Sequence, residues 1–213
     1  MGRALAVVFA ITATGCAPRY AGLTTPARFV KRAPAVYQAR FETTKGPFVI
    51  EVRREWAPIG ADRFYNLVRG GYYDGARFFR TLPKFVVQWG ISPKPAVTKA
   101  WGENTRIKDD PVKQSNTRGF VTFATSGAGS RTTQVYVNMA DNARLDKTGF
   151  SPFGKIVSGM DIFDKLHADY GDGAPRGKGP DQKKLREEGE PYLARDFPLL
   201  DKITRARIVR RPR

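Results

Sequence analysis

Residues 36–43 and 47–54 alternate apolar and polar side chains around Lys45-Gly46, the pattern of a β-hairpin with one buried face. The same signature returns along the chain as short runs rich in aromatic and β-branched residues, at 77–82 and 85–90 on either side of Pro83-Lys84, then at 119–124, 133–138, 154–157 and 203–209. Short strands at this spacing, separated by turn residues, predict a mainly β fold in which an antiparallel sheet closes into a barrel.

Helical spacing interrupts the strands twice. From Pro58, which suits a first helical turn, Ile59, Phe64, Leu67 and Val68 share one face until Gly70-Gly71 stops the helix. Residues 160–170 place Ile162, Phe163 and Leu166 at the same period. Two α-helices capping the barrel are therefore expected. With 41% hydrophobic residues, including 14 Phe, 8 Tyr and 3 Trp, the chain has material for one well-formed core, and 213 residues suit one domain with extensions.

The extensions differ in kind. Residues 1–16 begin with Arg3, continue as an apolar run over 4–11 and end in small residues before Cys16, as a secretory signal does. Ala13-Thr14-Gly15-Cys16 is similar to the lipobox of bacterial lipoproteins, which implies acylation of Cys16 and a lipid-anchored protein of the cell envelope facing the periplasm. An ordinary signal peptide would instead give a soluble exported protein. Residues 17–34, with Pro18, Pro26 and Pro34 and no apolar period, read as a basic tether, so the folded domain is placed at 35–209 with a basic tail at 210–213. Residues 171–198 read as a charged Gly/Pro-rich insertion before the last strand. A short surface helix is expected at 181–190, the apolar residues from Tyr192 to Leu200 would pin the far end, and residues 173–190 should be dispensable for turnover of a small peptide.

The formal charge of +17 is uneven: residues 1–34 carry +5 and residues 201–213 another +5. Charge placed in tails suits solubility or attraction to an anionic membrane surface rather than specific nucleic-acid recognition, and the strands lack the aromatic-basic interleaving of RNA-binding modules. A single Cys excludes an internal disulfide, and one His with one Cys that lies in the export segment cannot supply a His/Cys metal cluster or a Cys-His nucleophile pair. No cofactor is expected, and the chain is expected to act as a monomer.

The motif that carries chemistry is Phe78-Phe79-Arg80-Thr81-Leu82-Pro83-Lys84-Phe85-Val86-Val87-Gln88, followed by Gln134-Val135-Tyr136 and by Phe150-Ser151-Pro152-Phe153-Gly154-Lys155. In this order the blocks resemble the cyclophilin-type peptidyl-prolyl cis-trans isomerases, over about residues 36–170 and the last strand. The resemblance implies a cyclophilin-like barrel, proline-containing polypeptides as partners, Arg80 as catalytic arginine with Gln88 beside it, and a proline pocket at Phe85. Val86 stands where many members have methionine, and Ala124-Thr125 match the pair that grips the substrate backbone. Gln134 matches a second glutamine, Val135 and Tyr136 replace two phenylalanines, and Leu145 matches a pocket leucine. Phe150 stands where many eukaryotic members have histidine, and Arg144 falls near the tryptophan that binds cyclosporin in many of them. His167, on the second expected helix, lies away from the motif blocks.

The residues themselves agree with that reading. Rotating an X-Pro amide breaks its resonance against a barrier of about 18–20 kcal/mol, and the proline nitrogen gains a lone pair that can accept a hydrogen bond. Arg80 is a permanent, rigid donor for it, and a contact absent from the planar ground state favours the twisted one selectively. Two other classes compete: a proline-peptide-binding chaperone module without turnover, and a basic anion-binding protein of the envelope.

Overall fold

The hairpin forms as the alternation requires. β1 (Val36–Thr43) and β2 (Gly46–Arg53) pair antiparallel from Val36↔Arg53 to Thr43↔Gly46, which puts Tyr37, Ala39, Phe41, Phe48, Ile50 and Val52 on the buried face. The computed structural model describes residues 22–209, so the expected signal segment, Cys16 and the tail at 210–213 lie outside the described residues. Six more strands extend the hairpin: β3 (Arg80–Thr81), β4 (Val86–Trp89), β5 (Phe120–Phe123), β6 (Val135–Asn138), β7 (Pro152–Ser158) and β8 (Ile203–Val209). They form one curled antiparallel sheet, a half-barrel in the order β3-β4-β6-β5-β7-β2-β1-β8. β3 and β8 are its terminal strands. The segments leading into them meet, with Gly75 N–H donating to Ile203 O (2.8 Å), Ile203 N–H to Ala76 O (2.9 Å) and Phe78 N–H to Asp201 O (3.0 Å).

The concave core is aromatic. Phe41 and Phe48 stack at 4.9 Å between ring centres, and Trp89, fully buried, meets Phe41, Phe48 and Phe78 edge-on at 6.2, 6.2 and 5.6 Å. Such offset and edge contacts favour one packing arrangement over a merely greasy interior. Helix α1 (Pro58–Gly70) lies against this core through Ala61, Phe64, Leu67 and Val68. Pro58 starts it, and Gly71 ends it at φ 74°, a left-handed value that glycine adopts without a Cβ penalty. Its N-terminus is capped from far along the chain: Asp110 accepts from the N–H groups of Ile59 and Gly60, both at 2.9 Å, and pairs with Arg131 at 3.0 Å.

Five α-helices occur among the described residues, more than the spacing suggested: α1, α2 (Pro95–Ala100), α3 (Met160–Asp164), α4 (Gln182–Glu188) and α5 (Glu190–Asp196). α2 and α5 are too short to show an apolar period, and each opens with proline in its first turn. α3 covers only the first part of the expected 160–170 helix. Beyond it, His167 gives its N–H to the Asp201 carboxylate at 2.8 Å instead of to a carbonyl one turn back.

Two regions depart further from the sequence reading. Residues 22–34, expected as a tether, pack on α1 and α2: Leu23 is buried, its carbonyl accepts from Trp101 Nε1 at 2.7 Å, and Phe29 meets the Trp101 ring. Asn66 on α1 bonds both the N–H (3.1 Å) and the carbonyl (2.7 Å) of Lys31. The anchors are single residues spaced too irregularly to read as a periodic face. Residues 171–198, expected as a surface excursion pinned at its far end, are docked there as expected and more extensively besides. Leu185, Tyr192, Leu193 and Leu200 bury with Phe79 and Ile91 in a second apolar cluster, and Arg77, nearly buried, gives its guanidinium to Glu190 (2.5 Å) and to the Leu200 carbonyl (3.0 Å).

Candidate active site

Strand pairing brings the motif residues together. Arg80 on β3 is opposite Gln88 on β4, and Gln88 is opposite Tyr136 on β6. Side chains two apart on a strand share a face, so Val86 and Gln88 line a cleft while Val87 and Trp89 point into the core. Gln134 and Tyr136 do the same from the β6 side. Val135, expected among the substrate contacts, is corrected by this alternation: it is fully buried in the core and does not line the cleft.

The cleft has a volume of ≈ 640 Å³. Arg80, Phe85, Val86, Gln88, Ala124, Thr125, Gln134, Tyr136, Leu145 and Phe150 all face it, so the sequence-expected set converges except for Val135. Arg176, Gln182 and Arg186 join them from residues 171–198. That segment contributes to one wall of the cleft, which argues against the expectation that residues 173–190 are dispensable.

The polar side is a directed chain of side chains. Arg80 Nη1 donates to Gln88 Oε1 at 3.3 Å, and Gln88 Nε2 donates to Gln134 Oε1 at 2.8 Å. Because guanidinium has no acceptor, Gln88 must turn its carbonyl to Arg80 and its amide to Gln134. Gln134 therefore takes part in this chain through its carbonyl and not through its amide N–H groups. On the other edge, Arg80 Nε and Nη2 reach Asp172 at 2.7 and 3.0 Å, a bidentate pair. Asp172 was not marked by any sequence signal beyond its flanking glycines. Hydrogen bonding from Arg80 holds its carboxyl below the usual range, against a smaller opposing effect of burial.

The apolar side is Phe85, Val86, Tyr136, Leu145 and Phe150. Tyr136 and Phe150 meet edge-on at 5.8 Å. The Phe85 ring carries two guanidinium groups, Arg80 with Cζ 5.6 Å and Arg144 with Cζ 4.9 Å from its centre. Arg144 thus occupies the rim of the pocket as a cation. The Thr125 hydroxyl is spent locally, on the Gly127 carbonyl and on Ser130 Oγ. His167 contacts Tyr170 and Asp201 rather than the cleft.

Behind the apolar wall lies a residue that sequence reading missed, Asn116, fully buried. Its Nδ2 donates to Asp146 Oδ1 and to the Phe150 carbonyl, both at 2.8 Å. Its Oδ1 accepts from Thr122 Oγ1 (2.9 Å), Tyr136 OH (3.1 Å) and Asn138 Nδ2 (3.2 Å). Burial raises the Tyr136 hydroxyl well above the ordinary phenol value, so it stays a neutral donor. Burial also pushes the Asp146 carboxyl up, but hydrogen bonds from Ser115 and Asn116 outweigh it and hold the group low.

That balance makes a pH prediction. A carboxyl with a lowered folded pKa adds stability that is fully present above the unfolded value of about 3.9 and lost as pH falls through the folded one. Ser115→Ala, which removes the 2.6 Å bond from Ser115 Oγ to Asp146 Oδ2, should cost about 1 kcal/mol at neutral pH and clearly less in acid. Urea unfolding at pH 7 and near pH 3 measures both losses; equal values would contradict the linkage.

Comparison with known proteins supplies the context. Residues 38–185 match the family model described as "Cyclophilin type peptidyl-prolyl cis-trans isomerase/CLD". A peptidyl-prolyl cis-trans isomerase of Acinetobacter baylyi is 34% identical over 140 residues, covering 59% of this chain and 69% of the relative. Peptidyl-prolyl cis-trans isomerase A of Dickeya dadantii is 31% identical over 166 residues, covering 76% of this chain and 81% of the relative. A crystal structure of a cyclophilin-type isomerase from Cryptosporidium parvum superposes with a TM-score of 0.61 at 19% identity, covering 83% of this chain and 99% of that one. At that identity the superposition speaks for the fold.

Proposed function

Since the chain belongs to the cyclophilin-type peptidyl-prolyl cis-trans isomerase family, we propose that it accelerates X-Pro rotation in exported proteins, with Arg80 stabilising the twisted amide. The observation that carries the proposal is the guanidinium of Arg80, fixed at both edges and sharing a cleft of ≈ 640 Å³ with the apolar side chains. Phe85, Val86, Tyr136, Leu145 and Phe150 hold the ring and exclude water. The Gln134 amide and the backbone at Ala124-Thr125 hold the chain on one side of the bond while the other side turns. As the nitrogen pyramidalises, Arg80 donates to its new lone pair, and a dry pocket makes that bond stronger than it would be in water.

Uncatalysed X-Pro isomerisation takes roughly 10–100 s, slow enough to limit folding. The direct test is a cis-to-trans assay on a proline tetrapeptide with the purified chain. Acceleration supports the enzyme, whereas binding without acceleration would make it a peptide-holding module.

The cellular part of the proposal is supported by residues 1–16, where Gly15-Cys16 follows a charged start and an apolar run. Acylated Cys16 would anchor the protein to the periplasmic face of the envelope, with the basic termini adding attraction to anionic lipid. Cys16→Ser should move the protein from the membrane to the soluble fraction. An unacylated N-terminus on the wild-type protein, read by mass spectrometry, would reject the anchor.

A further inference from the structure

We propose that Asp172 is a positioning residue for the reaction: it grips Arg80 by its Nε/Nη2 edge, so that the Nη1 side is presented to the proline nitrogen. The inference rests on the catalytic reading of Arg80 given above. Arg80 stands on a two-residue strand at the end of the sheet, and its long side chain would otherwise be held by one hydrogen bond of 3.3 Å to Gln88 and by its stacking over the Phe85 ring. The Asp172 pair, at 2.7 and 3.0 Å, matches the planar fork and leaves one rotation of the group.

Asp172 is itself built in. Its Oδ1 accepts from Gly173 N–H at 2.9 Å and its carbonyl from Gly179 N–H at 2.8 Å. A Cβ at Gly177 would lie 2.3 Å from the Asp172 carbonyl oxygen, and one at Gly179 would lie 2.8 Å away, so only glycine lets the loop wrap this closely around the aspartate. Arg176, whose side chain is 78% exposed, approaches Asp172 at 3.7 Å and cannot substitute for Arg80 as the partner. The glycines of residues 171–179, which read in sequence as turn punctuation, thus shape a clamp whose grip ends at the cleft.

The position of a donor matters more than its presence, because displacement by about 1 Å can cost up to 10²-fold in rate. Asp172→Ala should therefore lower kcat about 10-fold with KM little changed, since the proline slot is untouched. Asp172→Asn, nearly isosteric, keeps one acceptor for Arg80 and should recover part of the loss; it also serves as the working variant should the alanine form not fold.

The second readout is the Arg80 Nε–H resonance in NMR, expected to be protected from solvent exchange in the wild type and unprotected in Asp172→Ala. Lower kcat together with lost protection supports the proposal. Unchanged or increased kcat in both variants overturns it, an increase meaning that the carboxylate restrains Arg80 by neutralising it. Arg80→Ala run in parallel separates the two ideas: full activity there removes the catalytic reading itself, whereas a dead Arg80→Ala beside fully active Asp172→Ala and Asp172→Asn removes only the role of Asp172.

Discussion

Arg80→Ala should lower kcat/KM on a proline tetrapeptide by about 10²–10³-fold, the usual loss when one preorganised donor to a transition state is deleted. The loss should fall on kcat, because the planar ground state has no lone pair on nitrogen for Arg80 to meet. The fold should survive. Arg80 lies on a terminal strand of two residues, and none of the core aromatic contacts involves it. Arg80→Lys should be nearly as poor, since an ammonium on a flexible stem cannot hold Asp172 and Gln88 on opposite edges at once. Circular dichroism establishes folding and the tetrapeptide assay measures turnover. Wild-type efficiency in a folded Arg80→Ala variant would remove the proposed mechanism.

What could be read from the sequence follows from how each residue is placed. Arg80, Val86, Gln88, Gln134 and Tyr136 were marked by the family resemblance of the motif blocks, and they converge on one cleft because they sit on or beside paired strands, where a period of two decides which side chains share a face. The same period shows why Val135 was misassigned, for a motif taken as a run of neighbours ignores that adjacent strand residues point opposite ways. Asp172 and Asn116 were missed because they stand in irregular segments, and Asp146 because it stands in a short 3-10 turn, Ala143–Thr148. Their side chains are directed in part by contacts far along the chain, as in Asp146 to Ser115 and Asp172 to Arg80, and no local pattern encodes such pairs. Composition misled in the segments at 22–34 and 171–198. Pro and charge argued for a tether in the first, yet Leu23 and Phe29 dock it; in the second the pinning role of Tyr192 and Leu193 was legible, while the burial of Leu185 and the contribution to the cleft were not.

Asn116→Ala should lower stability by about 3 kcal/mol, a large loss for one polar side chain. The deletion strips a donor from Asp146 and from the Phe150 carbonyl and leaves the Thr122 and Tyr136 hydroxyls without the acceptor they share. Buried polar groups left unsatisfied cost roughly 1–3 kcal/mol each, and members of one network do not add simply. Asn138 suffers less because its amide also donates to the Phe120 carbonyl at 3.1 Å. Turnover should fall as well, since Tyr136 and Phe150 form the wall that would hold the proline ring. Asn116→Asp makes the test specific. It preserves shape and the acceptor toward Tyr136, but sets a carboxylate against Asp146 and the Phe150 carbonyl, where the amide had donated at 2.8 Å to each. Like charges that close cannot both ionise without strain, so this variant should be about as unstable as Asn116→Ala at pH 7 and should recover relative to the wild type as pH falls toward 4. Urea unfolding across that range measures both effects. A loss below about 1 kcal/mol in Asn116→Ala, or an Asn116→Asp deficit that ignores pH, would mean that the wall of the pocket is held by its apolar packing and not by the asparagine behind it.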